Sequence, residues 1–396
     1  MSRYLRLSLV CLAFLLCSIS MVAQTLPQLY WQMYVDPDGA VGFPNIVWYD
    51  LNGLPGPPPV PANIPIPAGS WSPQGGQRTI DAVQAPGQPG IFFLLTSTEL
   101  RAFRINGGTF PLCGSARPST PSGLYQGIRV APSGSFALMV IGSNPAFGSG
   151  LNELLSYPLN LAAPRSAASP CILPGNPTQI PILTNTAITN VDFNPTNAAE
   201  VAVSGYSNIV TFVDPSNGTD LCDVAVSYKG QNLNRLVALY RPDGNEVWAA
   251  SYEEMKIAVI TPPSAKPPLT PCEVTDVITG FGQHDALLGA SFHPDPAVGV
   301  YFIGTYDAGY TSNNVYALDT TTKTISDGAS FFAAIGSTSV TRGPGTYLFE
   351  VAFNGYTNTY DVSDSNKAHN FGQYLIGSEI TSVTMSSATT LRTVNP

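Results

Sequence analysis

Charge is scarce in this chain. Only 11% of its 396 residues are Asp, Glu, Lys or Arg, and it has three histidines. Exposed helical faces are built from Glu, Lys and Arg, so long surface helices are not expected. The basic residues, 17 against 26 acidic ones, form no cluster, and the net charge is -9. A nucleic-acid backbone or an anionic membrane surface is therefore excluded as a partner. No Gly-x-Ser-x-Gly elbow, zinc-type His pair, phosphate-cradling glycine loop or Cys-x-x-Cys occurs. Beyond the N terminus no apolar run approaches the roughly 20 residues that span a bilayer, so no membrane insertion is expected. Low charge alone permits disorder, but 44% hydrophobic and 10% aromatic content supplies a core.

The first residues do carry a pattern. Arg3 and Arg6 precede an almost wholly apolar stretch from Leu7 to Ile19, and Met21-Val22-Ala23 ends on a small residue. Basic start, short apolar centre and small-residue exit make residues 1–23 a secretory signal peptide, cleaved after Ala23. A secreted or extracytoplasmic location follows. Glycine and proline number 36 each and punctuate short apolar runs. That spacing favours an all-β fold for residues 24–396, read as one domain and as a monomer.

The runs repeat. Ile128-Arg-Val-Ala-Pro-Ser-Gly134 leads into Phe136–Ile141, Val191-Asp-Phe-Asn-Pro195 into Glu200–Gly205, and Val237–Gly244 into Glu246–Ser251. Ala290-Ser-Phe-His-Pro294 leads into Gly299–Gly304, with looser copies at Ala82–Leu95 and Val340–Val351. The turn prolines Pro86, Pro132, Pro195, Pro242, Pro294 and Pro344 are separated by 46, 63, 47, 52 and 50 residues. That is the period of a four-stranded propeller blade. Third strands often end in an Asp turn, as at Ile209–Asp214, Val315–Asp319 and Thr359–Asp364. A degenerate copy, Ile380–Met385, leaves a blade unfinished at the C terminus, with Thr390–Val394 as a possible second strand. The N-terminal segments Leu29–Val35, Asn45–Asp50 and Ile64–Pro67 supply what it lacks. The expectation is a seven-bladed β-propeller closed by a composite blade from N- and C-terminal strands, which removes exposed edges.

These copies resemble the YVTN/lactonase-like seven-bladed propellers, part of the WD40-like superfamily, over nearly all of the mature chain. The signature tetrapeptide is absent, with Ser207-Asn-Ile-Val-Thr211 and Ser312-Asn-Asn-Val-Tyr316 the nearest echoes. The resemblance implies a fold that serves enzymes and binding proteins alike.

Cys11 and Cys17 leave with the signal, and Cys113, Cys171, Cys222 and Cys272 remain, 58, 51 and 50 residues apart. Each is read as opening the fourth strand of its blade. An even count in an exported chain suggests disulfides. Long loops before Cys171 and Cys272 can carry them to the neighbouring blade, giving Cys113–Cys171 and Cys222–Cys272. Cys171–Cys222 is the rival pairing, and four buried thiols the bland reading. Asn217-Gly-Thr219 is a glycosylation sequon in a third-to-fourth-strand turn, where Asn-Gly is equally a hairpin signal.

Chemistry is thin. His293 precedes Pro294 where other copies carry Arg241, Asn194 and Ala131, and His369 sits in a polar outer strand. Both read as structural. His284 and Asp285 lie in a fourth-to-first-strand loop, which with Arg78 and Glu379 makes a candidate hydrolytic site at the channel mouth. The same loops are expected to present Trp71, Tyr125, Gln126, Asn185, Asn234 and Arg235 as a ligand-binding face. No cofactor or metal is required, although Asp36/Asp38, Asp214/Asp220 and Asp361/Asp364 are turn carboxylates of the Ca²⁺-binding type. The leading expectation is a secreted module binding an extracellular protein, glycan or small ligand. A lactonase-like hydrolase and a cell-surface or matrix structural module are the alternatives.

Overall fold

The computed structural model describes residues 79–331 apart from gaps, the longest at 105–110, 143–151, 162–169 and 307–312, and the backbone of strands nearer both ends. Every regular element among the described residues is a strand. Near the N terminus, β1 (Leu29–Tyr34), β2 (Ile46–Asp50) and β3 (Ser70–Trp71) pair in sequence. Six antiparallel four-stranded units follow. The first is β4 (Thr79–Gln84), β5 (Ile91–Thr96), β6 (Leu100–Arg104) and β7 (Leu112–Ala116). The second is β8 (Leu124–Val130), β9 (Phe136–Gly142), β10 (Glu153–Pro158) and β11 (Thr178–Pro181). The third is β12 (Ile188–Phe193), β13 (Val201–Gly205), β14 (Ile209–Asp214) and β15 (Thr219–Ala225).

A small hairpin of β16 (Ser227–Tyr228) and β17 (Gln231–Asn232) then intervenes. The fourth unit is β18 (Leu236–Tyr240), β19 (Val247–Ser251), β20 (Lys256–Thr261) and β21 (Glu273–Ile278). The fifth is β22 (Ala286–Phe292), β23 (Val300–Tyr306), β24 (Asn313–Asp319) and β25 (Thr324–Phe331). The sixth is β26 (Ile335–Arg342), β27 (Thr346–Ala352), β28 (Tyr356–Asp361) and β29 (His369–Leu375). The last described strand, β30 (Ile380–Met385), pairs with β1, with Gln32 opposite Val383. A further four-stranded sheet thus has the order β3-β2-β1-β30, drawn from both ends of the chain. Its outer strand is Ser70–Trp71, whereas the sequence pointed to Ile64–Pro67, which lies outside the described residues.

The units share more than a strand count. Pro86, Pro132, Pro195 and Pro242 each fall between first and second strands. The ladder between those two strands slips by one residue in six of the seven sheets, the fourth unit being regular. Such a bulge adds local twist, which lets successive sheets fan out. Second strands whose side chains are described are buried on both faces. Ile91–Thr96, Val201–Gly205 and Val247–Ser251 are buried at every position. They read as continuous apolar runs, not alternations, because a sheet of each unit packs on a neighbour on either side. Fourth strands such as Thr219–Ala225 are largely exposed, as their polar sequences require.

The core is accordingly a series of seams. One joins the first and second units around Phe93, Met139 and Tyr157. Others join the second to the third, the third to the fourth, and the fourth to the fifth. In the last, Trp248 meets Phe292 and Tyr301 with ring centroids 5.5 and 5.0 Å apart. Polar bonds cross between neighbouring first strands as well. The Ile128 N–H donates to Asp81 Oδ2 (2.8 Å), and Arg129 Nη1 lies 3.3 Å from the same oxygen. Arg129 Nη2 donates to Asn190 Oδ1 (3.1 Å), whose Nδ2 donates to the Ala238 carbonyl (2.8 Å). Asp192 Oδ2 accepts the Tyr240 N–H at 2.8 Å.

Disulfides close two of these seams from outside. Cys113 bonds Cys171 and Cys222 bonds Cys272, as the loop argument expected. Such bonds fit an oxidising compartment. The strand positions need correction, however. Cys113 and Cys222 lie within fourth strands, while Cys171 and Cys272 precede theirs. Cys171 reaches across a seam, and its N–H donates to the Cys113 carbonyl at 2.6 Å.

Candidate functional site

Strands in each unit alternate in direction, so second-to-third and fourth-to-first connections leave from the same end of the sheet. That loop-bearing end is fully described where the third and fourth units meet. There the backbone forms a staircase. The Tyr206 N–H donates to the Ala187 carbonyl (3.3 Å), the Arg235 N–H to the Tyr206 carbonyl (3.2 Å), and the Tyr252 N–H to the Arg235 carbonyl (3.2 Å). Ala187 and Arg235 both hold positive φ, 46° and 49°, at the same step before a first strand. The unusual backbone is thus a shared device of the fold, and what distinguishes Arg235 is its side chain. Gly205 is required beside it, since a Cβ there would run into the Ala187 carbonyl.

The Arg235 guanidinium lies over two rings, 3.8 Å from the centroid of Tyr252 and 4.9 Å from that of Tyr206. Its Nη1 donates to Glu253 Oε1 at 3.3 Å. Arg235 is a quarter exposed at 26%, Tyr206 is 37% exposed and Glu253 is 59% exposed, so the assembly faces solvent. Asn234 anchors the loop beneath it, its backbone N–H and Nδ2 donating to the two Glu254 oxygens at 3.1 and 3.2 Å. The Ser251 hydroxyl donates to the same carboxylate. Beside it stands the β16–β17 hairpin, whose Lys229 and Gly230 take φ of 51° and 81° in a tight turn. Lys229 and Lys256 place their ammonium groups 5.0 and 5.9 Å from the Tyr228 ring. The result is a patch of three tyrosines and three cations, suited to grip an aromatic or anionic group rather than to break bonds.

His284 and Asp285 lie in the loop before β22 as expected. Gly280 and Gly282, with φ of 106° and 81°, bend that loop so that Phe281 is buried. Tyr316 on β24 donates its hydroxyl to the Phe281 carbonyl (2.9 Å), and His284 Nε2 lies 3.5 Å from the same hydroxyl. His284 is thereby set against a third strand. Its proposed companions Arg78 and Glu379 lie outside the described residues, as do Asn185 and His293. Trp71, assigned to a loop, is the end of β3 opposite Ile46. Tyr125 and Gln126, also assigned to a loop, are half-buried within β8, where burial raises the Tyr125 hydroxyl pKa. A first strand that begins earlier than its apolar run accounts for both. Of the expected face, only Asn234 and Arg235 meet at a described loop site. Tyr206, Tyr252 and Glu253 were missed, although Tyr206 and Tyr252 recur just after the second strand of consecutive units.

Asn217 sits exposed in the β14–β15 turn, its Oδ1 accepting the Thr219 N–H (2.8 Å) and its Nδ2 donating to Asp214 (3.1 Å). Asp214 is held below the usual carboxylate range by the Ser216 hydroxyl, which makes this turn self-satisfied. Among the described residues no group of three or more His, Cys, Asp or Glu is placed to hold a metal ion. Asp36, Asp38 and Asp364 lie outside them. No described helix is long and apolar enough to cross a membrane.

No protein-family model matches the chain, and no curated protein matches it in sequence. Among solved structures it is similar to the C-terminal WD40 domain of Sif2, with a TM-score of 0.53 and 10% identity. The match covers 80% of this chain and 95% of that domain. The fold is a WD40-like β-propeller. In a propeller the meandering units are blades, the first strands line the centre and the fourth strands face outward. The exposure gradient from buried second strands to exposed fourth strands follows that plan. The Arg235 patch therefore lies on one of the propeller's two loop-bearing faces.

Proposed function

We propose that this chain is a secreted, monomeric, non-catalytic propeller that binds an extracellular partner through the loop face bearing Arg235. Seven blades form one ring, the blade β3-β2-β1-β30 closing it, and residues 1–23 direct export. The observation that carries the reading is the solvent-facing Tyr206–Arg235–Tyr252 stack. Tyrosine and arginine dominate the energetics of protein interfaces, because each gives a large contact area for little lost side-chain freedom. A protein is the favoured occupant over a glycan or small ligand, since the patch is an open surface rather than a described cleft. The disulfides and the N-terminal pattern support export.

The test is capture from the native exterior using immobilised residues 24–396, compared with a Tyr206→Ala/Tyr252→Ala variant. One saturable partner, bound at least tenfold more weakly by the variant, is expected. Identical binding by both proteins would remove this face from consideration. Turnover of a lactone or ester, lost with His284→Ala, would instead make the chain an enzyme.

A further inference from the structure

The geometry points to recognition of a carboxylate on the partner, a single Asp or Glu side chain on an apolar or aromatic segment, by the edge of Arg235. This rests on the binding reading above and adds the chemistry that the face selects. A guanidinium offers two kinds of surface. Its planar faces stack on rings, and its rim carries five N–H donors in a fork matched to a carboxylate. Here two tyrosine rings lie against the guanidinium, at 3.8 and 4.9 Å, and its N–H rim is the surface left for a ligand. Among the described residues, one rim hydrogen bond is made, from Nη1 to Glu253.

That bond is itself informative. Glu253 is 59% exposed, and a solvent-exposed pair of this kind contributes little. It shows that a carboxylate reaches the rim, and it can be exchanged for a partner's without a large penalty. The tyrosines hold the fork in one orientation before binding, which removes much of the ordering entropy a free arginine would lose. Tyr206 and Tyr252 also shield the guanidinium from solvent, its side chain being 26% exposed, which strengthens a bond made at the edge.

Charge complementarity selects a peptide acid over a polyanion. Arg235, Lys229 and Lys256 are the cations of the patch, Glu253 pairs with Arg235, and the Glu254 carboxylate, held by Asn234, adds a second negative charge. The whole protein carries a net charge of -9. A sulfated polysaccharide needs a run of uncompensated cations, and the described residues of this face include none. A single carboxylate set on an apolar or aromatic segment needs one fork and a flanking ring.

The experiment is selection of 12-residue peptides from a display library on residues 24–396. Synthetic winners are then titrated against wild type, Arg235→Lys, Glu253→Gln and Tyr206→Phe. Arg235→Lys keeps the charge but loses the fork, and a thermal melt confirms that it folds. The inference expects a fixed Asp or Glu in the winners, with binding at least tenfold weaker when it becomes Asn or Gln or when Arg235 becomes Lys. Glu253→Gln, freeing the rim, should tighten binding, and Tyr206→Phe should bind as wild type. Winners that need Arg235 but carry no acid would overturn the carboxylate inference while leaving the face as a binding site. Winners indifferent to Arg235→Lys and to the Tyr206→Ala/Tyr252→Ala double change would overturn both. Retention on a heparin column that disappears with Arg235→Lys, with no acidic winner, would assign the fork to a sulfated glycan and overturn the peptide.

Discussion

Asp192 and Arg129 stand on adjacent first strands, and each is perturbed by burial. Loss of solvation pushes the Asp192 carboxyl up to about 6, against the pull of Arg129 and the hydrogen bonds from the Tyr240 and Phe193 N–H groups. The same burial lowers the Arg129 guanidinium to about 10. A carboxylate whose folded pKa exceeds its unfolded value opposes folding once ionised. The penalty is complete above about pH 6 and fades as pH falls towards 4, where both states are protonated. Asp192→Asn keeps an acceptor for the Tyr240 N–H, and Arg129 keeps Asp81 as its counter-charge. The variant should therefore be more stable at pH 7, by on the order of 1–3 kcal/mol. Urea unfolding at pH 7 and at pH 4 checks this, with the gain expected to shrink at the lower pH. An unchanged gain at both would show that desolvation is not the cause. None of this was readable from the sequence, because Asp192 looks there like any polar residue of an alternating strand. Arg235 and Asn234 were readable as loop residues, but a stack depends on the reach of side chains from three separate connections.

At the scale of elements, legibility followed period and punctuation. First and second strands were placed well because a proline turn separates two apolar runs, as at Pro195 and Pro242. The two-residue strands Ser70–Trp71 and Ser227–Tyr228 have no period to detect, and they are held by their partners rather than by propensity. Cys171 was misplaced for a related reason. Its segment follows a Pro/Ala/Ser loop and reads as a new strand, yet it extends across to pair with the backbone of β7. The disulfides fix these crossings, each tying a fourth strand to the connection before the next unit's fourth strand. Replacing Cys222 and Cys272 together by Ala should lower stability by about 2–4 kcal/mol, through restored freedom of the unfolded chain. The same change at Cys113 and Cys171 should act alike and nearly additively, since the two bonds join different pairs of units. Denaturant unfolding of the two double variants and their combination measures it. A combined loss far below the sum would mean that the staples share one cooperative contact.

The whole molecule turns on how its ends meet. A row of meander sheets could stop with an open edge at each end, and both edges would then be sites of unwanted pairing. The order β3-β2-β1-β30 instead joins the last described strand to a sheet of three strands from near the N terminus. The sequence announced this sheet through an unfinished C-terminal copy and the N-terminal runs Leu29–Val35 and Asn45–Asp50, while the third run, Ile64–Pro67, lies outside the described residues. Such a sheet makes the last described strand depend on the N-terminal ones, because among the described strands β30 is hydrogen-bonded to β1 alone. If the seven sheets form a ring, a bond across this pairing must be compatible with the native state. Gln32 and Val383 face each other directly in the register. Opposed residues of an antiparallel pair have Cα atoms roughly 4.5–5.5 Å apart, within the range that a disulfide spans. Gln32→Cys/Val383→Cys should therefore oxidise without forcing, and non-reducing peptide mapping should find the cross-link in nearly all of the secreted protein. Because it closes almost the entire chain into one loop, its entropic effect on the unfolded state is at the upper end for a disulfide, on the order of 5 kcal/mol. The oxidised variant should unfold at clearly higher denaturant than its reduced form. Failure to oxidise, or a bond that lowers stability, would mean that the two ends do not pair in this register and that the ring is not closed here.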